Sequence, residues 1–190
     1  MQIVFVLEGR VEDWLAAGGR VAVPRPALCP SCVAGPLVFD GWYRRQTRRG
    51  PVDIRRLLCS DVSCGQRSHS LLPDVLVSRR VDLASVIGWA LEAKTAGVGH
   101  RRIADGLGVP ASTVRGWLRR AAQVGRQIAE VLWTVAAGID PIVRGPPSGT
   151  PVAVLVTAAT WAARSWTALA GQPVERWRFA VRHVGGRLLG

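Results

Sequence analysis

The chain has 190 residues, 48% of them hydrophobic, which suits one ordinary domain or two small ones and is too apolar for a disordered segment. Its formal net charge is +12, and apart from Lys94 every basic side chain is an arginine, charged at any physiological pH. An acidic partner is expected; residues 1–28 are balanced, and the positive excess concentrates between 29 and 126.

The opening "MQIVFVLEGR" reads as a short strand. It is too short, and lacks the basic leader, of a secretory signal. The longest interval without charge, between Arg144 and Arg164, contains "GPPSGTP" and leaves about a dozen apolar or small residues in a row, too few for a bilayer. The expected setting is therefore a reducing cytoplasm, close to the nucleoid, with no membrane partner, where cysteines hold metal more readily than they form disulfides. Residues 1–28 form a lead-in of strand and helix.

Residues 29–80 carry the cysteines. Cys29 and Cys32 stand in "CPSC", and Cys59 and Cys64 in "CSDVSC". Two close pairs, each on a tight turn, are the layout of a four-cysteine zinc ribbon, and four thiolates leave no open position on the metal. One structural Zn2+ is expected, with His69 of "RSHSLLP" as an alternative ligand. "LVFDGWYRRQ" and "VDIRRLLC" have strand composition and are joined by "TRRGP", so a hairpin links the two knuckles. So small a sheet buries little apolar area, hence the metal staple. Arg44, Arg45, Arg48, Arg49, Arg55 and Arg56, interleaved with Trp42 and Tyr43, line either a phosphate-contacting face or a solvated one. Phosphate contacts are assigned to Arg44, Arg45, Arg55 and Arg56.

After "LLPDVLVSRR", read as a connector, residues 81–122 carry helical periodicity. Asp82 is placed to cap a helix bearing Leu83, Val86, Ile87, Ala90 and Leu91 on one face, ended by Gly97 and Gly99. A short helix from about His100 to Gly106 buries Ile103, Ala104 and Leu107. A helix-turn-helix needs a small residue at the helix crossing, a residue tolerant of unusual backbone angles in the turn, and an apolar residue one turn into the second helix. Ala104, Gly108 and Val114 supply these, with Val109, Trp117 and Leu118 completing the inner face. Ser112, Thr113 and Arg115 are the expected base contacts in the major groove. Arg119 and Arg120, with Arg101 and Arg102 on the preceding helix, are placed for phosphates. A trihelical unit that binds protein has the same pattern.

Together, "RRLLCSDVSCGQRSHSLLP" and "GHRRIADGLGVPASTVRGWLRR" resemble the zinc-ribbon plus helix-turn-helix front end of bacterial insertion-sequence transposases. They look closer still to small actinobacterial proteins, grouped as a domain of unknown function, that carry this front end with a short helical tail. The resemblance covers roughly residues 20–122. It implies Cys29, Cys32, Cys59 and Cys64 as zinc ligands and the helix beginning near Ala111 as the DNA reader. In "CSDVSC" the chain departs from the related pattern, which usually has two residues between these cysteines.

Residues 123–190 form a helical tail with a Pro/Gly linker near 140–151. Beyond residue 126 the acidic residues are only Glu130, Asp140 and Glu175, on about 64 residues that read as helix and loop rather than alternating strands, which leaves no room for the mixed α/β, three-carboxylate domain of a transposase. No nucleophile, phosphate-loop or paired-carboxylate motif stands out, and no enzyme or small-molecule substrate is expected. Val114, Trp117, Ala121, Val124, Ile128, Val131 and Val135 alternate steps of three and four. This seam fits either a homodimer through the helix 114–135 or packing against apolar helices near 152–169 and 174–184, with Trp133, Trp161, Trp166 and Trp177 as core.

The sequence thus reads as α+β, mostly α: zinc-ribbon hairpins, a trihelical helix-turn-helix and a helical tail. The function expected is non-catalytic, sequence-specific binding of double-stranded DNA, by a transcriptional regulator or a mobile-element derivative. The alternatives are the DNA-targeting subunit of a transposase with a separate catalytic chain, and a protein-interaction module.

Overall fold

The computed structural model describes residues 1–143, 145 and 148–190. It is an α+β fold. The strands are β1 (Gln2–Phe5), β2 (Leu37–Thr47), β3 (Gly50–Cys59) and β4 (Ser68–Pro73), and the helices α1 (Val11–Ala16), α2 (Ala84–Thr95), α3 (His100–Leu107), α4 (Ala111–Ile139), α5 (Pro151–Ala170) and α6 (Arg176–His183). The four strands form one sheet in the order β1-β4-β3-β2, with β1 parallel to β4 and the other pairs antiparallel.

The hairpin β2–β3 lies where the strand composition puts it. β4 does not follow from alternation: "LLP" reads as connector, yet Leu71 and Leu72 are fully buried on the strand between β1 and β3. A strand covered on both faces is a continuous apolar run, and a run that short carries no period. The lead-in strand β1 likewise belongs to this sheet rather than standing before it.

Asp82 does not cap α2. The N-cap position is Leu83, with no side-chain cap, and the buried Asp82 carboxylate instead receives the Arg48 guanidinium from the hairpin tip, through Nε to Oδ1 and Nη2 to Oδ2 at 3.2 Å. Beside it, Arg45 Nη2 donates to the carbonyls of Val77 (2.5 Å) and Arg80 (2.7 Å). These contacts fasten the hairpin to the segment that leads into α2.

α4 continues unbroken past residue 122, but its buried face follows 3.6 residues per turn rather than the heptad. Val114, Trp117, Ala121 and Ile128 are buried as the seam requires; further on, Gly125, Ala129, Leu132 and Ala136 replace Val124, Val131 and Val135. A straight helix drifts by about 20° per heptad, and the neighbour that covers this drifting stripe is α5. Gly125 is the contact point: a Cβ there would stand 2.6 Å from the Pro151 carbonyl oxygen. α5 has the length and apolarity of a membrane span, but it packs against α4, α2 and α6. Its N-terminus is capped by Thr150 Oγ1, which accepts from Ala153 N–H. Of the expected linker 140–151, Arg144, Pro146 and Pro147 lie outside the described residues. Of the four tryptophans assigned to the core, Trp177 is buried, Trp133 and Trp166 are half-buried, and Trp161 is exposed beneath Arg164. Gly88 on α2 makes room for the Trp177 indole, whose Nε1–H donates to Glu92 at 2.6 Å.

One buried carboxylate joins the sheet to the helices. Asp74, at the end of β4, accepts from Leu7 N–H (3.2 Å) and Arg178 Nε (3.0 Å), and Arg182 Nη2 lies 3.5 Å away. Arg178 also donates to the Leu7 carbonyl. Removing the anion strands two guanidinium groups of α6 at the joint, so Asp74→Ala should lower unfolding free energy by about 3 kcal/mol. Denaturant titration checks this: a loss below about 0.5 kcal/mol would mean the joint contributes little.

Candidate functional site

The four cysteines meet at one end of the hairpin. Cys59 closes β3, and Leu37, its partner across the ladder, opens β2 directly after the first knuckle. Within that knuckle Cys29 N–H donates to Gly35 O and Val33 N–H to Cys29 O, both at 2.8 Å, while Leu28 bridges Pro36. The knuckles touch through Ser60 N–H and Pro36 O at 3.0 Å. Gly35 sits at this contact, where a Cβ would lie 2.4 Å from Cys59 Sγ. The spacing of the cysteines gave no hint of that glycine.

The C-x4-C spacing is absorbed by a side-chain turn. Asp61 Oδ1 accepts from Ser63 N–H (2.8 Å) and Ser63 Oγ–H (2.7 Å), folding the loop so that Cys64 returns to the cluster. The same two bonds hold the Asp61 carboxyl below its usual range.

All four Sγ atoms lie within 4.8 Å of one another, with Cys29–Cys64 and Cys32–Cys59 each at 3.8 Å. A tetrahedral site with metal–sulfur bonds of about 2.3 Å sets its sulfurs about 3.8 Å apart, so the cluster is positioned to hold a metal ion. Backbone donors point at the sulfurs: Ser31 N–H to Cys29 (3.4 Å) and Gly35 N–H to Cys32 (3.3 Å). Burial opposes ionisation of Cys29, but the backbone N–H groups of Cys32 and Ser31, together with the neighbouring thiols, lower its pKa to about 6. Burial dominates at Cys59, pushed up to about 12, with the Asp61 backbone acting the other way and the other thiols adding to the rise. Four sulfurs this close do not all ionise without a cation.

His69 does not replace a cysteine. It is buried on β4, with Nε2 3.3 Å from Cys29 Sγ, and its Nδ1 has no hydrogen-bond partner among the described residues. With the proton on Nε2 the ring donates to the Cys29 sulfur, outside the set of four.

The residues expected to meet DNA lie on α3, α4 and the hairpin. Ala104, Val109, Val114 and Trp117 are buried, and Gly108 takes the left-handed φ of +63° between α3 and α4. Ser112, Arg115 and Arg119 are exposed at the start of α4, Thr113 and Arg120 are half-buried, and Arg101 and Arg102 are exposed on α3. The hairpin arginines divide. Arg45 is spent on carbonyls of the chain, as described. Arg44 lies 3.7 Å from Asp53, Arg56 lies 3.2 Å from Asp40, and Arg55 stacks on Phe39 and Trp42. Comparisons with protein-family profiles, curated proteins and solved structures found no match to this chain.

Two outcomes are expected at the cysteine cluster. Titrating the metal-free protein with zinc at pH 7.5 should saturate at about one ion per chain and release protons, chiefly from the raised thiols Cys59 and Cys64. Affinity should fall as pH drops through about 6, where Cys29 also takes up its proton; calorimetry in buffers of different ionisation enthalpy reads this, and proton-neutral binding would contradict it. Val33, β-branched and exposed, sits at φ +59°. Val33→Gly relieves that left-handed strain and should raise stability by about 0.5–1 kcal/mol despite the added chain entropy; a loss in thermal or denaturant unfolding would refute it.

Proposed function

We propose that the chain is a non-catalytic, sequence-specific binder of double-stranded DNA, in which a zinc-held ribbon braces a helix-turn-helix formed by α2, α3 and the first turns of α4. The soft four-thiolate donor set favours zinc, and closure by four protein sulfurs makes the ion structural.

The observation that carries the DNA reading is how the charge is distributed. Arg101, Arg102, Arg115, Arg119, Arg120 and Arg126 have no carboxylate within 4.0 Å among the described residues, whereas Arg44, Arg48 and Arg56 of the hairpin and Arg176, Arg178 and Arg182 of α6 pair with Asp40, Asp53, Asp74, Asp82 and Glu92. Six uncompensated guanidinium groups on two consecutive helices favour a polyanion. Their arrangement favours duplex DNA: Ser112, Thr113 and Arg115 fall in the opening turns of α4, the part of such a helix that reaches base edges, and Arg119 and Arg120 lie a turn further along. Arg101 and Arg102 stand at the start of α3, beside the backbone in that geometry. Of the hairpin set, Arg44, Arg55 and Arg56 remain candidates for phosphate, while Arg45 serves the fold.

Arg115→Ala should cost about 1–3 kcal/mol and relax preference at one base position, and Arg119→Ala should weaken binding evenly across sequences and reduce the salt slope by about one. Titrations of duplex at several salt concentrations separate the two effects. If both variants bind duplex as the parent does, the trihelical unit has another partner, and a protein surface becomes the better reading.

A further inference from the structure

The ribbon's outer strand carries a second surface that the reading of α3 and α4 does not use. β2 is an edge strand, and its pairing with β3 slips between Phe39 and Trp42, where Gly41 takes φ +72°. Residues three apart on an unbroken strand face opposite ways. The bulge inserts extra chain and brings both rings to one side, where Arg55, the cross-strand partner of Trp42, lies between them. Its guanidinium carbon is 4.1 Å from the Phe39 ring centroid and 4.6 Å from that of Trp42, and Arg25 approaches Phe39 at 5.5 Å. Phe39 is 42% exposed. Arg25 and Arg55 have no carboxylate within 4.0 Å among the described residues, so their charge meets only aromatic faces.

We propose that this ladder of Arg25, Phe39, Arg55 and Trp42 is a stacking platform for unpaired bases of single-stranded DNA. Every base has a π-face, and bases stack on aromatic rings and on guanidinium planes alike. The uncompensated charge of Arg25 and Arg55 attracts the phosphates that connect successive bases. An acidic peptide would engage the guanidinium edges and leave the exposed Phe39 ring uncovered. The platform lies on the sheet, apart from the opening turns of α4, and its ligand does not depend on duplex reading there.

The test measures fluorescence anisotropy of a labelled oligo-dT strand and of a duplex of equal length, at near-physiological salt, with the zinc-loaded full chain. Phe39→Ala and Arg55→Gln should each weaken oligo-dT binding about tenfold, and Phe39→Ala should leave duplex binding within about twofold, while Phe39→Tyr, which keeps the ring, retains oligo-dT affinity and controls for folding. Arg115→Ala should do the reverse of Phe39→Ala. Failure of the parent chain to bind oligo-dT overturns the platform, as do unchanged binding by Phe39→Ala and Arg55→Gln or a loss no greater than that of Arg44→Gln, which would make the effect mere charge. Loss of duplex binding in Arg115→Ala with Phe39→Ala silent would sink the platform and spare the duplex reading; the opposite pair of results would spare the platform alone.

Discussion

Four sulfurs are held within 4.8 Å of one another, a spacing at which they repel as thiolates unless a cation lies among them, and their convergence fixes one end of the hairpin. The two knuckles converge on Leu37 and Cys59, and from there β2 and β3 run roughly 30 Å, at about 3.4 Å per residue, to their tip. At the far end Arg45 and Arg48 meet the Val77 and Arg80 carbonyls and the Asp82 carboxylate. The hairpin is thus fixed by the four-cysteine cluster at one end and by arginine at the other. α2 begins two residues after Asp82, so the orientation of the helical unit follows from the same constraint. Asp74 supplies the second joint, tying β4 and the Leu7 backbone to α6.

Arginine has two separate tasks in this chain. Where a guanidinium faces a buried acid or a carbonyl, as at Arg45, Arg48 and Arg178, it orders backbone and fastens elements together. Along α3 and the first half of α4 the same side chain meets no acid among the described residues. A net charge of +12 alone does not distinguish these tasks. Burial and partners do, and they move Arg45 out of the set available to a ligand while leaving Arg101, Arg102, Arg115, Arg119 and Arg120 in it.

Much of the architecture was legible where a local signal decided it. The β-branched and aromatic runs on either side of "TRRGP" became β2 and β3, the Ala104–Gly108–Val114 spacing produced a turn with Gly108 left-handed, and the apolar periods near 83–91, 114–135 and 152–169 fall in α2, α4 and α5. The failures share a cause: each was settled by a distant partner. β4 is a strand because β1 and β3 flank it. Asp82 pairs with Arg48, 34 residues away, instead of capping the helix beside it. Gly125, a poor helix former inside α4, is there because Pro151 comes close. At the cysteine cluster the four cysteines were readable from spacing, but Gly35, the Asp61–Ser63 turn and the His69 contact to Cys29 depend on two knuckles meeting in space. The stacking of Phe39 and Trp42 on Arg55 was hidden for the same reason, since only a bulge brings residues three apart to one side.

Duplex reading by the opening turns of α4 is what the proposed function stands on. The most direct measurement is selection of random duplex fragments by the zinc-loaded protein at near-physiological salt, followed by sequencing of what is retained. The account predicts an enriched motif that disappears from the pool retained by Arg115→Ala. Uniform retention that fades as salt rises, with no motif in either pool, would contradict it and reduce the charge of α3 and α4 to nonspecific attraction.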